Sequence, residues 1–155
     1  MKMFKLYTLA VSLLMLVACG NDNDGPTRPT YEGESLGDIS NTWKLVSVND
    51  VKPEFTVYVE FADGLFYIYQ QVYELGYVLY EGDYTIDYNI VSGKYLDGTK
   101  WKSSYVGELS ELGDTLTMVS KEENPMVNVY EVCDIPEDVI EEAETRSLVD
   151  YNYHF

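Results

Sequence analysis

Phe55-Thr56-Val57-Tyr58-Val59-Glu60-Phe61-Ala62-Asp63-Gly64-Leu65-Phe66-Tyr67-Ile68-Tyr69-Gln70-Gln71-Val72 decides the fold. Phe55, Val57, Val59 and Phe61 alternate with Thr56, Tyr58 and Glu60, the period of two that a half-buried strand requires. Asp63-Gly64 supplies residues that tolerate positive φ, and a second aromatic run follows at once. Two such runs flanking Ala62-Asp63-Gly64 predict a β-hairpin.

The same pattern extends in both directions. Upstream, Trp43, Leu45 and Ser47 alternate with Lys44, Val46 and Val48. Downstream, strands are predicted at Tyr77–Tyr80, Asp83–Tyr88, Ile90–Tyr95, Lys102–Leu109, Thr115–Ser120 and Val127–Cys133. The separators Glu81-Gly82, Asp97-Gly98, Leu112-Gly113-Asp114 and Asn124-Pro125 carry turn chemistry. Strand starts recur roughly every 10 residues, which indicates an antiparallel barrel or sandwich.

After Cys133 the period changes. Asp134 is placed to cap a helix, and Pro136, Glu137 and Asp138 suit its first turn. Val139, Ile140 and Ala143 form a narrow apolar stripe, and Arg146 suits the last turn. Val149, Tyr151, Tyr153 and Phe155 then alternate with polar residues, as in one more strand.

The N-terminus has a different character. Lys2 and Lys5 precede Leu6 to Ala18, which is apolar apart from Thr8 and Ser12. That run is shorter than the roughly 20 residues of a spanning helix and fits a secretory signal. It ends Leu16-Val17-Ala18-Cys19-Gly20, which resembles the lipobox of bacterial lipoproteins. The resemblance implies cleavage before Cys19 and lipidation of its sulfur. Residues 1–18 are therefore expected to be a signal peptide, 19–39 a lipidated acidic tether, and 40–155 the folded domain.

Gly20 to Pro29 is rich in Gly, Pro, Asn and Asp, without apolar period, and cannot offset its ordering entropy by burial. Its acids behind Cys19 resemble the surface-export signals of Bacteroidota lipoproteins. The implied location is the outer membrane, lipid-anchored, on the periplasmic or cell-surface face.

The order of elements resembles the lipocalin family, and more closely the lipocalin-like domains of Bacteroidota lipoproteins. The residues that carry the likeness are Asn41-Thr42-Trp43-Lys44-Leu45, Phe61-Ala62-Asp63-Gly64-Leu65-Phe66, Gly82-Asp83-Tyr84-Thr85-Ile86, Trp101 to Tyr105, and Gly113-Asp114-Thr115-Leu116-Thr117. It implies a mainly all-β chain: a small antiparallel eight-stranded barrel, then one short helix and a final strand. Two features depart from the family pattern. Asn41 stands where lipocalins usually have Gly before the first-strand Trp. The only Arg residues are Arg28 and Arg146, so none lies late in the barrel to pack over Trp43.

Charge bounds the partners. The chain has 10 basic and 27 acidic residues, a net charge of −17. Loss of Lys2 and Lys5 with the signal leaves eight basic against 27 acidic, or −19. Such a surface repels nucleic acid and anionic headgroups. The membrane is reached through the anchor at Cys19, and a basic protein partner would be electrostatically complementary.

Catalytic chemistry is not evident. The one His is His154, at a terminus, so no other base can serve a Ser or Cys133 nucleophile. Asp22-Asn23-Asp24-Gly25 fails as a calcium loop, because in that register its first and twelfth positions are Gly20 and Tyr31. Glu141, Glu142 and Glu144 read as a solvated helix face. No phosphate loop, metal site or cofactor motif is present, and the expectation is a non-enzyme.

Tyrosine stands out. Of 15, ten fall between Tyr58 and Tyr105. A buried Tyr needs a partner for its hydroxyl, so they suit a wet aromatic cavity wall, an exposed patch, or plain strand filling. Two functional expectations follow. In one, a small apolar or amphipathic ligand enters the barrel mouth, lined by Tyr67, Tyr69, Tyr84, Tyr88 and Tyr105. Phe55, Val57, Val59 and Phe61 then form its floor, and Gly107 and Ser103 open space beside Trp101 and Tyr105. In the other, the barrel is filled and an acidic or aromatic surface binds a protein or glycan.

Overall fold

The computed structural model describes residues 34–72 and 76–146. Eight strands follow in chain order: β1 (Asn41–Val48), β2 (Val57–Ala62), β3 (Leu65–Gln71), β4 (Tyr77–Asp87), β5 (Ile90–Tyr95), β6 (Tyr105–Leu109), β7 (Thr115–Ser120) and β8 (Val127–Val132). Each pairs antiparallel with the next, and β1 pairs with β8, so the sheet closes into an up-and-down barrel. Helix α1 (Glu137–Arg146) follows. The final strand expected at 149–155 lies outside the described residues.

The Asp63-Gly64 hairpin forms as the sequence predicts. Both turn residues have positive φ, 51° and 80°, the type I′ geometry that matches strand twist. Ala62 pairs with Leu65, and Phe61 with Phe66. Asn49-Asp50 repeats the device, with φ of 49° and 63° and reciprocal backbone bonds between Val48 and Val51.

Three strand boundaries differ from expectation, each for a local reason. Tyr77–Tyr80 and Asp83–Tyr88 are one strand, β4, with no turn at Glu81-Gly82. Gly82 is there because the backbone of Lys94 and Tyr95 crosses where a β-carbon would stand. β6 begins at Tyr105 and not at Lys102. The Trp101 N–H bonds the Gly93 carbonyl at 2.9 Å, and its ring lies over the bare Gly93 α-carbon, which draws residues 101–104 out of the sheet. β1 carries a bulge between Leu45 and Ser47. The extra residue reverses the alternation, so Val48 faces inward where Ser47 was expected to.

The folded unit also begins earlier than residue 40. Leu36 and Ile39, expected in the tether, are buried in the barrel core with Trp43, Phe66, Val91 and Leu116. The Leu36 N–H bonds the Tyr88 carbonyl at 3.0 Å. The Trp43 Nε1–H donates to the Ile39 carbonyl at 3.0 Å. This segment closes one end of the barrel.

Outside the sheet, α1 lays Val139 and Ala143 on Tyr58 and Tyr69 of β2 and β3. The narrow stripe read in the sequence is the contact face. Cys133 is half-buried at the edge of the same cluster.

Candidate functional site

Cross-strand partners in a sheet share a face. With Phe61 opposite Phe66 and Val59 opposite Ile68, the inward face of β3 carries Phe66 and Ile68. Tyr67 and Tyr69 therefore point outward, into the cluster beneath α1. The expectation that they line the barrel mouth is corrected by the hairpin register itself. Tyr84 packs against Phe61, ring centroids 4.9 Å apart, near the closed end. Tyr88 is exposed in the β4–β5 turn, with φ of 62°. Of the five tyrosines singled out, Tyr105 alone borders the cavity described next.

That cavity, about 280 Å³, opens at the barrel end opposite Leu36 and Ile39. β1 and β7 end there, and β2, β6 and β8 begin there. Val57, Val59 and Phe61 form part of its wall, as expected, whereas Phe55 is exposed and outside it. Leu45, Val48, Ile68, Met118 and Met126 complete an apolar lining. The aromatic members are Tyr95, Trp101, Tyr105 and Tyr130; Asn128 and Lys102 are the other polar ones. Tyr95 and Tyr130 share strand parity with Val91 and Asn128, a signal in the sequence that becomes usable only once one inward residue on each strand is known.

The small residues do not open this space. Leu36 fills the room beside Gly107, where a β-carbon would come within 2.6 Å of its Cδ2. The Ser103 hydroxyl donates to the Ser104 carbonyl and accepts the Lys121 N–H, tying the rim together. The hollow arises instead where β5 stops at Tyr95 and meets β6 through only the Ile90–Val106 and Val91–Tyr105 pairs.

The electrostatics are those of a neutral chamber. Burial pushes the Tyr95 hydroxyl up to about 12. It also raises Tyr105 and Tyr130, the latter opposed by a hydrogen bond with Asn128. All three stay protonated near neutral pH. Lys102 is exposed, with its Nζ 3.7 Å from Glu122 Oε1. The Trp101 Nε1–H is buried and has no hydrogen-bond partner among the described residues. A buried donor left bare costs about 1–3 kcal/mol. The indole is tilted against Phe66, centroids 5.0 Å apart, and meets Tyr105 edge to face at 6.0 Å.

Among the described residues, none that lines the cavity is His, Cys, Ser, Asp or Glu, and no three His, Cys, Asp or Glu side chains are grouped to hold a metal. Comparison with protein-family models, curated proteins and solved structures returns no match to this chain.

Proposed function

We propose that this chain is a non-catalytic binding module of a bacterial cell envelope, lipid-anchored at Cys19, that takes a small apolar or amphipathic ligand in its barrel mouth. The carrying observation is the 280 Å³ apolar cavity at one end of a closed barrel, with polar groups confined to a few aromatic hydroxyls, one indole, Asn128 and Lys102. Concave sites with mostly apolar walls and few polar groups are the usual form of small-molecule pockets. The eight-stranded antiparallel order supports the lipocalin-like reading of the sequence, and the lipobox supports the envelope location.

The test is titration of the full chain with prodan, a neutral naphthalene dye whose emission shifts to the blue in apolar surroundings. Saturable 1:1 binding is expected. Val57→Phe, which adds bulk to the wall, should weaken it without unfolding the barrel. Absence of saturable binding would shift the assignment to an interaction protein that uses its acidic exterior.

A further inference from the structure

One flank of β4 has no neighbour at the open end of the barrel, and the course of the chain says what fills it. We infer that residues 149–153, which follow α1, pair as a further strand with the open edge of Tyr77–Leu79. The inference is independent of the binding-module reading.

The edge follows from register. Successive residues of a strand direct their N–H and C=O groups to opposite neighbours. The Tyr84 N–H bonds the Gly64 carbonyl, toward β3, and the Glu81 carbonyl accepts the Leu96 N–H at 3.1 Å, toward β5. Even-numbered residues of β4 therefore serve β3, and odd-numbered ones serve β5. The β3 ladder runs from Tyr77 to Asp83, whereas the β5 ladder covers only Gly82 to Asp87. Past Leu96 the chain turns at Asp97-Gly98 and returns along the other side of β5, with the Tyr95 N–H bonded to the Thr99 carbonyl. Among the described residues, no strand meets the N–H and C=O groups of Tyr77 and Leu79 on this flank. Leu96, at the corner where β5 departs, is 61% exposed. An open backbone edge of this kind is a template for an added strand.

Position names the occupant. The chain leaves β8 beside β1, where the Cys133 N–H bonds the Thr42 carbonyl. It then crosses the outside of the barrel. Val139 and Ala143 of α1 pack with Tyr58 of β2, Tyr69 of β3, and Tyr77 and Leu79 of β4. A helix of 10 residues spans about 15 Å. Three strand spacings of about 4.8 Å, the step from β1 to β4, match that length. Ala143 is fully buried, and of the strands α1 lies closest to β4. The helix thus delivers the chain to the flank where Tyr77 and Leu79 are open. The residues that come next carry the matching pattern: Val149, Tyr151 and Tyr153 alternate with Asp150, Asn152 and His154. Only Ser147 and Leu148 separate them from Arg146, the last residue of α1.

A second copy of the chain is the competing occupant. Each copy carries a net charge of −17, and that repulsion opposes its approach. A segment joined through α1 is held at an effective concentration in the roughly millimolar range, so it takes the edge first.

The test is NMR on the full chain and on a chain ending at Arg146. In the full chain, the Leu79 amide proton should show Overhauser contacts to backbone protons of residues 149–153. Its exchange with deuterium should be about three- to tenfold slower than in the shortened chain, the effect of one ladder bond. The Tyr80 amide, directed toward β3, is the control and should exchange alike in both. A Leu79 amide without those contacts, or with equal exchange in both chains, would overturn the inference. Protection that rises with protein concentration would overturn it too, by placing a second copy on the edge. The contacts are read in the unaltered chain, so they decide the matter even where the shortened chain fails to fold.

Discussion

Leu36 packs directly on the bare α-carbon of Gly107, so closely that a β-carbon there would sit 2.6 Å from its Cδ2 and 3.3 Å from Val91 Cγ2. A residue 71 positions upstream, on a segment that reads as tether, thereby supplies the side chain that Gly107 lacks. Gly107→Ala should overpack this end and cost about 1–3 kcal/mol. In a Leu36→Ala background the same substitution should cost clearly less, because the offending methyl groups are gone. Urea denaturation of the four proteins measures the coupling; strictly additive effects would contradict the contact.

Trp43 is 1% exposed and its indole N–H is bonded to Ile39. Trp43→Ala removes a fully packed aromatic and should cost about 3–5 kcal/mol. Trp43→Phe keeps most of the bulk but leaves the Ile39 carbonyl bare, for about 1–3 kcal/mol. A loss under about 1 kcal/mol for the Ala variant would remove Trp43 as the anchor of the closed end.

Gly82 meets backbone where Gly107 meets a flexible side chain. A β-carbon there would overlap the Lys94 carbonyl, and neither strand can yield without losing ladder bonds. Gly82→Ala should therefore be the more damaging of the two glycine substitutions, at or above the upper end of the 1–3 kcal/mol range for overpacking. Thermal melts of the two variants side by side decide the order.

Alkaline pH should destabilise the barrel. The Tyr95 hydroxyl titrates near 10.0 when unfolded and at about 12 when folded. Between those values the unfolded chain has lost a proton that the folded chain retains, so stability falls as pH rises through that window. Tyr105 and Tyr130 are shifted in the same direction by burial and add to the slope. Tyr95→Phe should flatten the decline in melting temperature above pH 10; an unchanged slope would mean that other groups control it.

Lipidation is tested without the structure, since Cys19 lies outside the described residues. Cys19→Ala should abolish partitioning of the mature protein into the detergent phase. Retained partitioning would remove the lipobox assignment.

Much of the barrel could be read from residues alone. Period-two runs and glycine-bearing turns marked the strands, and the proline and acids after Asp134 marked the helix. The misplacements share one cause. Glu81-Gly82 and Lys102–Ser104 have local turn or strand character that a distant neighbour overrides: the Lys94 backbone at Gly82, and Gly93 beneath Trp101. The same holds for the site. Tyr67 and Tyr69 alternate correctly, but alternation says only that they share a face. The hairpin register across Asp63-Gly64, with Phe61 opposite Phe66, puts their face opposite to that of Phe61.

The sequence by itself determined the antiparallel run of short strands, the tight turn at Asp63-Gly64 and the helix that follows, because each depends on backbone preferences and periodicity within a few residues. Tertiary structure alone decided which face is interior, that Leu36 and Ile39 close one end, and that Tyr95, Trp101, Tyr105 and Tyr130 meet around a hollow at the other. A cavity is what remains unfilled when side chains from strands far apart in the chain converge, so its volume follows from the complete packing and from no local segment.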